Sequence, residues 1–397
     1  MESYPGSRSA VRQLAAARLI SVAGGTAAGI ALAYFVYQKT HSGLYLSATF
    51  LLTLGVTGFL SPVGGLIADR YDRKLVMVVS ECAGAGVFLV MVFVRQPVGL
   101  IALAFIGSAL RVGFHPASGA AIPNLIGKDD LVWANSLVSI TATTGTLIGP
   151  AIGGLLVAVS GAPLVFGLNA ASFLISAVVI ARIRGDFAEE RSELDEHGGV
   201  LGGLRYVRRD QILLVLAVGW TALGWLAINV GFVADPPLAA LFHVGSLGYG
   251  LIDTFFAAGA LLGGLLARRI VPRSGSRTLL YGAVGMATGG ALVALSPVFL
   301  LVLAGVFVMA TFMEAGDVAT SGLVQVRTPD AVRSRVFAAL NGIGLVSSAA
   351  GYVVAGLLVD AVGPRAVYWL GAGVSLLMVG VCRPVWRERT TQAADGT

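Results

Sequence analysis

The chain has 397 residues, of which 56% are hydrophobic and only 12% charged. A soluble globular protein carries about twice that share of charge, and apolar runs long enough to cross a hydrocarbon core recur from end to end. The composition therefore excludes a soluble enzyme or a secreted domain, and the formal charge of +6 needs no nucleic acid to explain it once its distribution along the chain is known.

Residues Met1 to Arg18 are polar and carry Arg8, Arg12 and Arg18 with no small-residue cleavage site behind them, so no secretory signal peptide is expected. Twelve spans follow: Leu14–Tyr37, Leu44–Ala68, Leu75–Val94, Val98–Ile122, Val132–Val159, Leu164–Ile183, Ile212–Ala234, Leu247–Ala267, Thr278–Leu295, Val298–Val324, Val336–Val359 and Val367–Val385. With both termini cytoplasmic, nearly all of the 27 Lys and Arg residues lie on the cytoplasmic side. Only Lys39, Arg95 and Arg365 fall outside, and Arg111 stays within a span. This asymmetry orients a multi-pass protein in a bilayer. Arginine far outnumbers lysine, which suits a GC-rich bacterial genome and hence a bacterial plasma membrane. Cys82 and Cys382 are far apart and suggest neither a disulfide framework nor a metal site.

The second half repeats the first. Gly149, Gly154 and Gly161 fall in register with Gly351, Gly356 and Gly363, and the run Leu155-Leu156-Val157 with Leu357-Leu358-Val359. Internal repeats of six spans mark transporter folds. The expected organisation is all-α, with a six-helix bundle at 1–185, a cytoplasmic linker at 186–210 and a second bundle at 211–397. The acidic stretch "GDFAEERSELDEHGG" reads as a solvated tether, and "VLGGLRYVRRD" as a short amphipathic cytoplasmic helix.

The loop between spans two and three reads "GGLIADRYDRKLV". A loop obeying only the charge rule would hold Arg and Lys but not Asp69 at the membrane boundary. Gly65, Asp69, Arg70, Arg73 and Lys74 resemble the loop motif G-x-x-x-D-R-x-G-R-R/K of the major facilitator superfamily. Asp72 stands where the superfamily usually has glycine. That variant, with "IPNLIGKDDLVWANSL" between spans four and five, resembles the drug:proton antiporter branch that holds macrolide and enterobactin exporters. The resemblance implies two pseudo-symmetric six-helix bundles, and a motif aspartate that pairs with the start of span eleven in one conformation. Arg333 and Arg335 precede that span, and a carboxylate beside a helix N-terminus gains from the dipole. In the second half, Arg268 replaces the acid in "GGLLARRIVPRSGSR".

Span five contains "GTLIGPAIGG", in which Gly145, Gly149, Pro150, Gly153 and Gly154 form the pattern G-x-x-x-G-P-x-x-G-G. Small residues at four-residue spacing let helix backbones approach closely in lipid, and proline is tolerated there because neighbouring groups satisfy the freed carbonyl. The full pattern resembles the superfamily's antiporter signature, found mainly in exporters. It implies a tightly packed span five that seals one side of a cavity.

Ionisable residues within spans are functional candidates because burying them is costly. Arg111 and His115 on span four are four apart, and Glu314 and Asp317 on span ten are three apart, so each pair is expected on one helix face. The resemblance places spans one, four, seven and ten around a central cavity, which implies that the basic pair faces the acidic pair and that Asp317 or Glu314 carries a coupling proton. A fixed structural pair of Arg111 with Glu314 is the competing reading. Glu81 and Asp253 are weaker candidates, with Glu81 expected to snorkel or to support the adjacent loop, and His115 to fill a kink before Pro116. Cavity candidates are Tyr34, Asn135, Thr141, Trp220, Trp225, Asn229 and Asn341.

No glycine-lysine nucleotide loop, Cys/His metal cluster or nucleophile constellation is present in the sequence, so neither an enzymatic activity nor a cofactor is expected. The expected function is secondary active export of amphipathic small molecules by proton antiport, with a single protomer sufficing in the bilayer. A narrow-specificity importer, a lysolipid flippase and a non-transporting receptor or scaffold are the alternatives.

Overall fold

In lipid every backbone polar group must be satisfied within its own segment, which leaves helices as the route for a chain this apolar. The computed structural model describes residues 8–185, 187 and 199–385, and they are helical apart from short turns. The acidic tether lies almost wholly outside the described residues. Eleven helices are long and apolar enough to cross a membrane, and up to twelve if the bent pair Gly43–Phe59 and Ser61–Arg70 is one span. Counting that pair as span two, the others in order are Arg8–Thr40, Arg73–Met91, Pro97–Leu125, Leu131–Ser160, Ala162–Arg182, Gln211–Leu241, Gly245–Val271, Gly275–Leu295, Phe299–Arg327, Val332–Val362 and Pro364–Val381.

The interior is apolar, as in a soluble protein, but so is the exterior. Leu66, Phe93, Val159 and Leu376 are exposed, while Glu81, Asn169 and Asp235 are buried. An apolar exterior of this extent would be an association hazard in water; in a bilayer it is the surface that lipid solvates.

Chain contacts divide the protein into two compact units. The first comprises Met1–His41, Ala48–Glu193 and Val244–Thr254; the second comprises Ser42–Ser47, Leu194–His243 and Phe255–Thr397. Spans two and eight therefore each begin in one unit and continue in the other. In the first unit span one is the packing axis. Its Ala10, Val11, Leu14 and Ala17 meet Phe114, Ala117 and Ala121 of span four, Ala134 of span five and Ile180 of span six. Farther along, Ala27, Ala28, Ala31 and Leu32 meet Met91, Leu100 and Phe166. At its start, Arg8 donates two hydrogen bonds to Asp130, at 2.7 and 3.2 Å. These hold the Asp130 carboxyl below the usual carboxylate range.

Several helix interruptions differ from the sequence reading and have identifiable causes. Span four is broken by a turn at Arg111–Gly113, because Pro116 has no N–H to offer the carbonyl of Val112 one turn earlier. Span two passes through a π-turn at Leu51–Gly55 and bends by 47° where Pro62 opens the next segment. Span seven runs on to Leu241 with Pro236 and Pro237 inside it, so Asp235 lies within the span and not beyond its end. The connection expected as a loop between spans eight and nine is helical throughout.

Candidate functional site

Span seven changes from α to π geometry over Leu216–Ala222. A π-turn shifts the side chains that follow it around the helix axis and recurs at functional sites. Here the turn carries Trp220 inward, where only 2% of the indole residue is exposed. Glycines on two other spans make its room. A Cβ on Gly282 would lie 2.6 Å from the indole ring, and one on Gly316 would overlap it outright. The indole N–H then donates to Asp317 Oδ1 at 2.6 Å. One turn further along span seven, Trp225 packs 2.9 Å from the Cβ position of Gly344 on span eleven.

Together these residues border a cavity of about 200 Å³, lined by Trp220, Gly224, Trp225, Ile228, Asn229, Phe232, Phe256, Met286, Met313 and Asp317. Asn229 is already engaged: its Nδ2 donates to the Trp225 carbonyl and its Oδ1 accepts from the Tyr352 hydroxyl, both at 2.8 Å. Asp317 is the cavity wall's one ionisable group. Its chemical character is that of many ligand pockets, apolar and aromatic with a few oriented polar groups. Aromatic faces and a carboxylate together attract a cationic group.

Of the sequence candidates, the structure brings together Asp317, Trp220, Trp225 and Asn229. Glu314 does not line this cavity; it packs against Gly263 of span eight. Tyr34 accepts a hydrogen bond from Gln38. Asn135 bonds the Leu131 carbonyl within its own helix, Thr141 does the same with Leu137 and Val138, and Asn341 is exposed. Phe232, Phe256, Met286 and Met313 escaped the sequence reading, since aromatic and thioether side chains are common on every span.

A second polar site lies in the first unit. Glu81 is fully buried, accepts a hydrogen bond from the Ser21 hydroxyl at 2.8 Å and pairs with Arg111 Nη2 at 3.6 Å. Arg111 also donates to Ser21 at 3.1 Å and lies over the Phe173 ring at 3.9 Å. The sequence reading of Glu81 as a snorkelling or loop-supporting residue is thus corrected. Its ionic partner is Arg111, which the reading had matched with Glu314. The turn at Arg111–Gly113 also separates the expected pair on span four, directing Arg111 inward while His115 is exposed with its ring edge-on to Phe114.

The two motifs can now be read as packing. Asp72 caps span three by accepting the Leu75 N–H at 2.7 Å, which is what a carboxylate gives at that position and glycine cannot. Arg73 donates to the Ala120 carbonyl and Lys74 to that of Ile183, both at 2.9 Å. Asp69 and Arg70 are exposed, and a Cβ on Gly65 would meet nothing within 4 Å. Arg333 pairs with Asp330 at 2.6 Å, and Gly203 of the linker helix Gly199–Arg209 packs on the Arg335 backbone. On span five, Gly145, Gly149 and Gly153 face Val22, Ala23, Thr26 and Ala27 of span one. A Cβ on Gly153 would lie 2.6 Å from the Ala27 backbone. Gly154 and Pro150 face span eight, at Ser246 and Gly250.

The sequence pattern of the transmembrane secretion effector family matches residues 4–396 of the chain. The chain is similar to the enterobactin exporter EntS of Escherichia coli O1:K1, at 27% identity over 392 residues, covering 94% of this chain and 90% of that protein. It is also similar to the MFS-type transporter YfiS of Bacillus subtilis strain 168, at 28% over 346 residues, covering 81% and 79%. Its fold is that of the nucleoside transporter NupG, TM-score 0.80 at 15% identity over 94% and 99% of the two chains. It likewise matches a bacterial homologue of the iron transporter ferroportin, TM-score 0.75 at 16% over 94% and 98%.

Proposed function

Because this chain belongs to the transmembrane secretion effector family of the major facilitator superfamily, we propose that it is a secondary active exporter of amphipathic small molecules, driven by proton antiport. The observation that carries this reading is the cavity of the second unit, in which two tryptophans, two phenylalanines and two methionines surround one carboxylate. An ionised carboxylate in an apolar wall is costly unless something neutralises it. A proton and a cationic or strongly hydrogen-donating group of a substrate compete for the same Asp317 oxygen, and that competition is the chemical content of antiport. Trp220 holds the carboxylate toward the cavity through its N–H. Relatives that export, and the glycine–proline pattern of span five, favour outward over inward transport.

The same reading places the chain in a bacterial plasma membrane with both termini cytoplasmic, moving substrate by alternating access of two six-helix bundles in a single protomer. The test is accumulation of dyes, macrolides and siderophores in pump-deficient cells, with and without a protonophore. Expression of the chain lowers accumulation of at least one class, the protonophore restores it, and Asp317→Asn abolishes the effect. Raised uptake, or efflux that is indifferent to the proton gradient, overturns the reading.

A further inference from the structure

Two segments of the chain are held away from their own half of the sequence, and they are held unequally. In the second unit the start of span two lies against the end of span eleven. Asp360 accepts the Gly43 N–H at 2.5 Å, the Leu44 N–H at 3.2 Å and the Ser42 hydroxyl at 2.9 Å. Below it, Ser47 Oγ donates to the Tyr352 carbonyl at 2.5 Å, and a Cβ on Gly356 would lie 2.7 Å from the Gly43 oxygen.

In the first unit the start of span eight lies against the end of span five in the same manner. Ser246 Oγ donates to the Gly154 carbonyl at 2.9 Å, a Cβ on Gly154 would lie 2.5 Å from the Ser246 oxygen, and Gly250 meets the Pro150 carbonyl. The internal repeat relates the two contacts residue by residue: Gly356 to Gly154, Tyr352 to Pro150, Gly43 to Gly245 and His41 to His243. Both histidines take the left-handed conformation, at φ 48° and 56°. The backbone positions correspond but the polar side chains do not: Ser42, Leu44 and Ser47 meet Val244, Ser246 and Tyr249. The mate of Asp360 is Ala158, so the carboxylate with its three donors exists on one side only.

We propose that Asp360 is a conformational latch, which makes the start of span two the last segment to detach when the face opposite the basic loops opens. A carboxylate at a helix N-terminus gains both from the dipole and from charge-assisted hydrogen bonds, whereas the start of span eight is held by close packing and the neutral Ser246 bond with no carboxylate at residue 158. The π-turn at Leu51–Gly55 follows the held segment just after span two passes into the first unit at Ala48. It is the place where the latched end swings free of the rest of the span.

The test reads labelling by a membrane-impermeant maleimide in intact cells, without any substrate, so it stands or falls separately from the export reading. In a Cys82→Ala, Cys382→Ala background, a cysteine replaces Leu46, which is fully buried in the held segment. Asp360→Asn speeds its labelling by about tenfold, the scale of losing one charged helix cap. Ser42→Ala, which removes one of the three donors and the hydroxyl that accepts the Leu44 N–H but leaves the carboxylate, speeds it less. Ala158→Asp, which supplies the missing carboxylate, slows labelling of a cysteine at buried Ile252 on span eight. A cysteine at Leu100, buried on span four at the same membrane face but away from the latch, stays unlabelled throughout. Unchanged labelling of residue 46 in both Asp360→Asn and Ser42→Ala overturns the proposal, as does equal acceleration at residue 100, which would mean general loosening. If Asp360→Asn fails to reach the membrane, Ser42→Ala alone decides.

Discussion

Glu81 and Arg111 show what a buried charge demands of its surroundings. The carboxylate has no exposed surface and pairs with that guanidinium, which in turn is spread over the Phe173 ring. Removing one member of a buried pair leaves the other uncompensated, at a cost of about 3–5 kcal/mol. Glu81→Gln therefore lowers the melting temperature of the purified protein sharply, and Glu81→Gln with Arg111→Gln recovers part of the loss. A simple sum of the two single effects would show that the residues act independently. At the cavity, Trp220→Phe deletes the N–H that Asp317 accepts and vacates the space beside Gly282 and Gly316, so some stability is lost as well. Transport per folded molecule falls; transport that only tracks the amount of folded protein would make Trp220 a packing residue only. The residue types at both sites were visible in the sequence, and Asp317 was singled out there. The partners were not, because they depend on local backbone geometry. Pro116 opens the turn that frees Arg111 for Glu81, and the π-turn at Leu216–Ala222 aims Trp220 at Asp317.

At the scale of the helix, the sequence pattern carried further. The glycines of span five were read as a close-packing face, and three of them lie against span one. Gly149→Val forces a branched side chain into the hydroxyl of Thr26 and the carbonyl of Ala23. It separates the two helices and reduces the yield of folded protein, while Gly65→Ala, with open space around it, leaves yield unchanged. Asp72→Ala removes the cap of span three and costs about 1 kcal/mol, measured as a lowered unfolding midpoint in detergent. Asp72→Asn restores most of it. Span boundaries were less legible. Span seven was expected to end at Ala234, yet the helix continues through Pro236-Pro237 to Leu241 and encloses Asp235, whose carboxylate accepts the Tyr368 hydroxyl. Helical continuity in a bilayer follows from the cost of freeing backbone groups to lipid, which outweighs the local preference of proline.

For the molecule as a whole, the fold class follows from composition and from the repeat, and the structure and its relatives agree on it. The orientation in the membrane rests on charge distribution and has its own test. With Cys82 and Cys382 replaced by alanine, a cysteine at Gln96 is labelled by an impermeant maleimide in intact cells, and one at Arg184 only after lysis; the reverse pattern would invert the topology. Both positions are exposed. The exchange of short segments, by which spans two and eight each begin in one unit and continue in the other, does not show in the sequence repeat. The repeat reports what the halves share, and the exchange is a property of how the chain threads.

The contrast between span five and the cavity bears on how such a transporter can change its cargo. Substitutions that enlarge Gly149, Gly153 or Gly154 collide with backbone whatever compound is present. Substitutions at Trp225, Phe232, Met286 or Met313 reshape the cavity without touching that frame. A saturation library selected against several unrelated toxins would return the same forbidden positions on span five from every selection, and a different tolerated set at the cavity from each. On the export reading, new specificity would arise by drift at a handful of bulky apolar sites, over a scaffold whose span-five glycines are held by backbone contact.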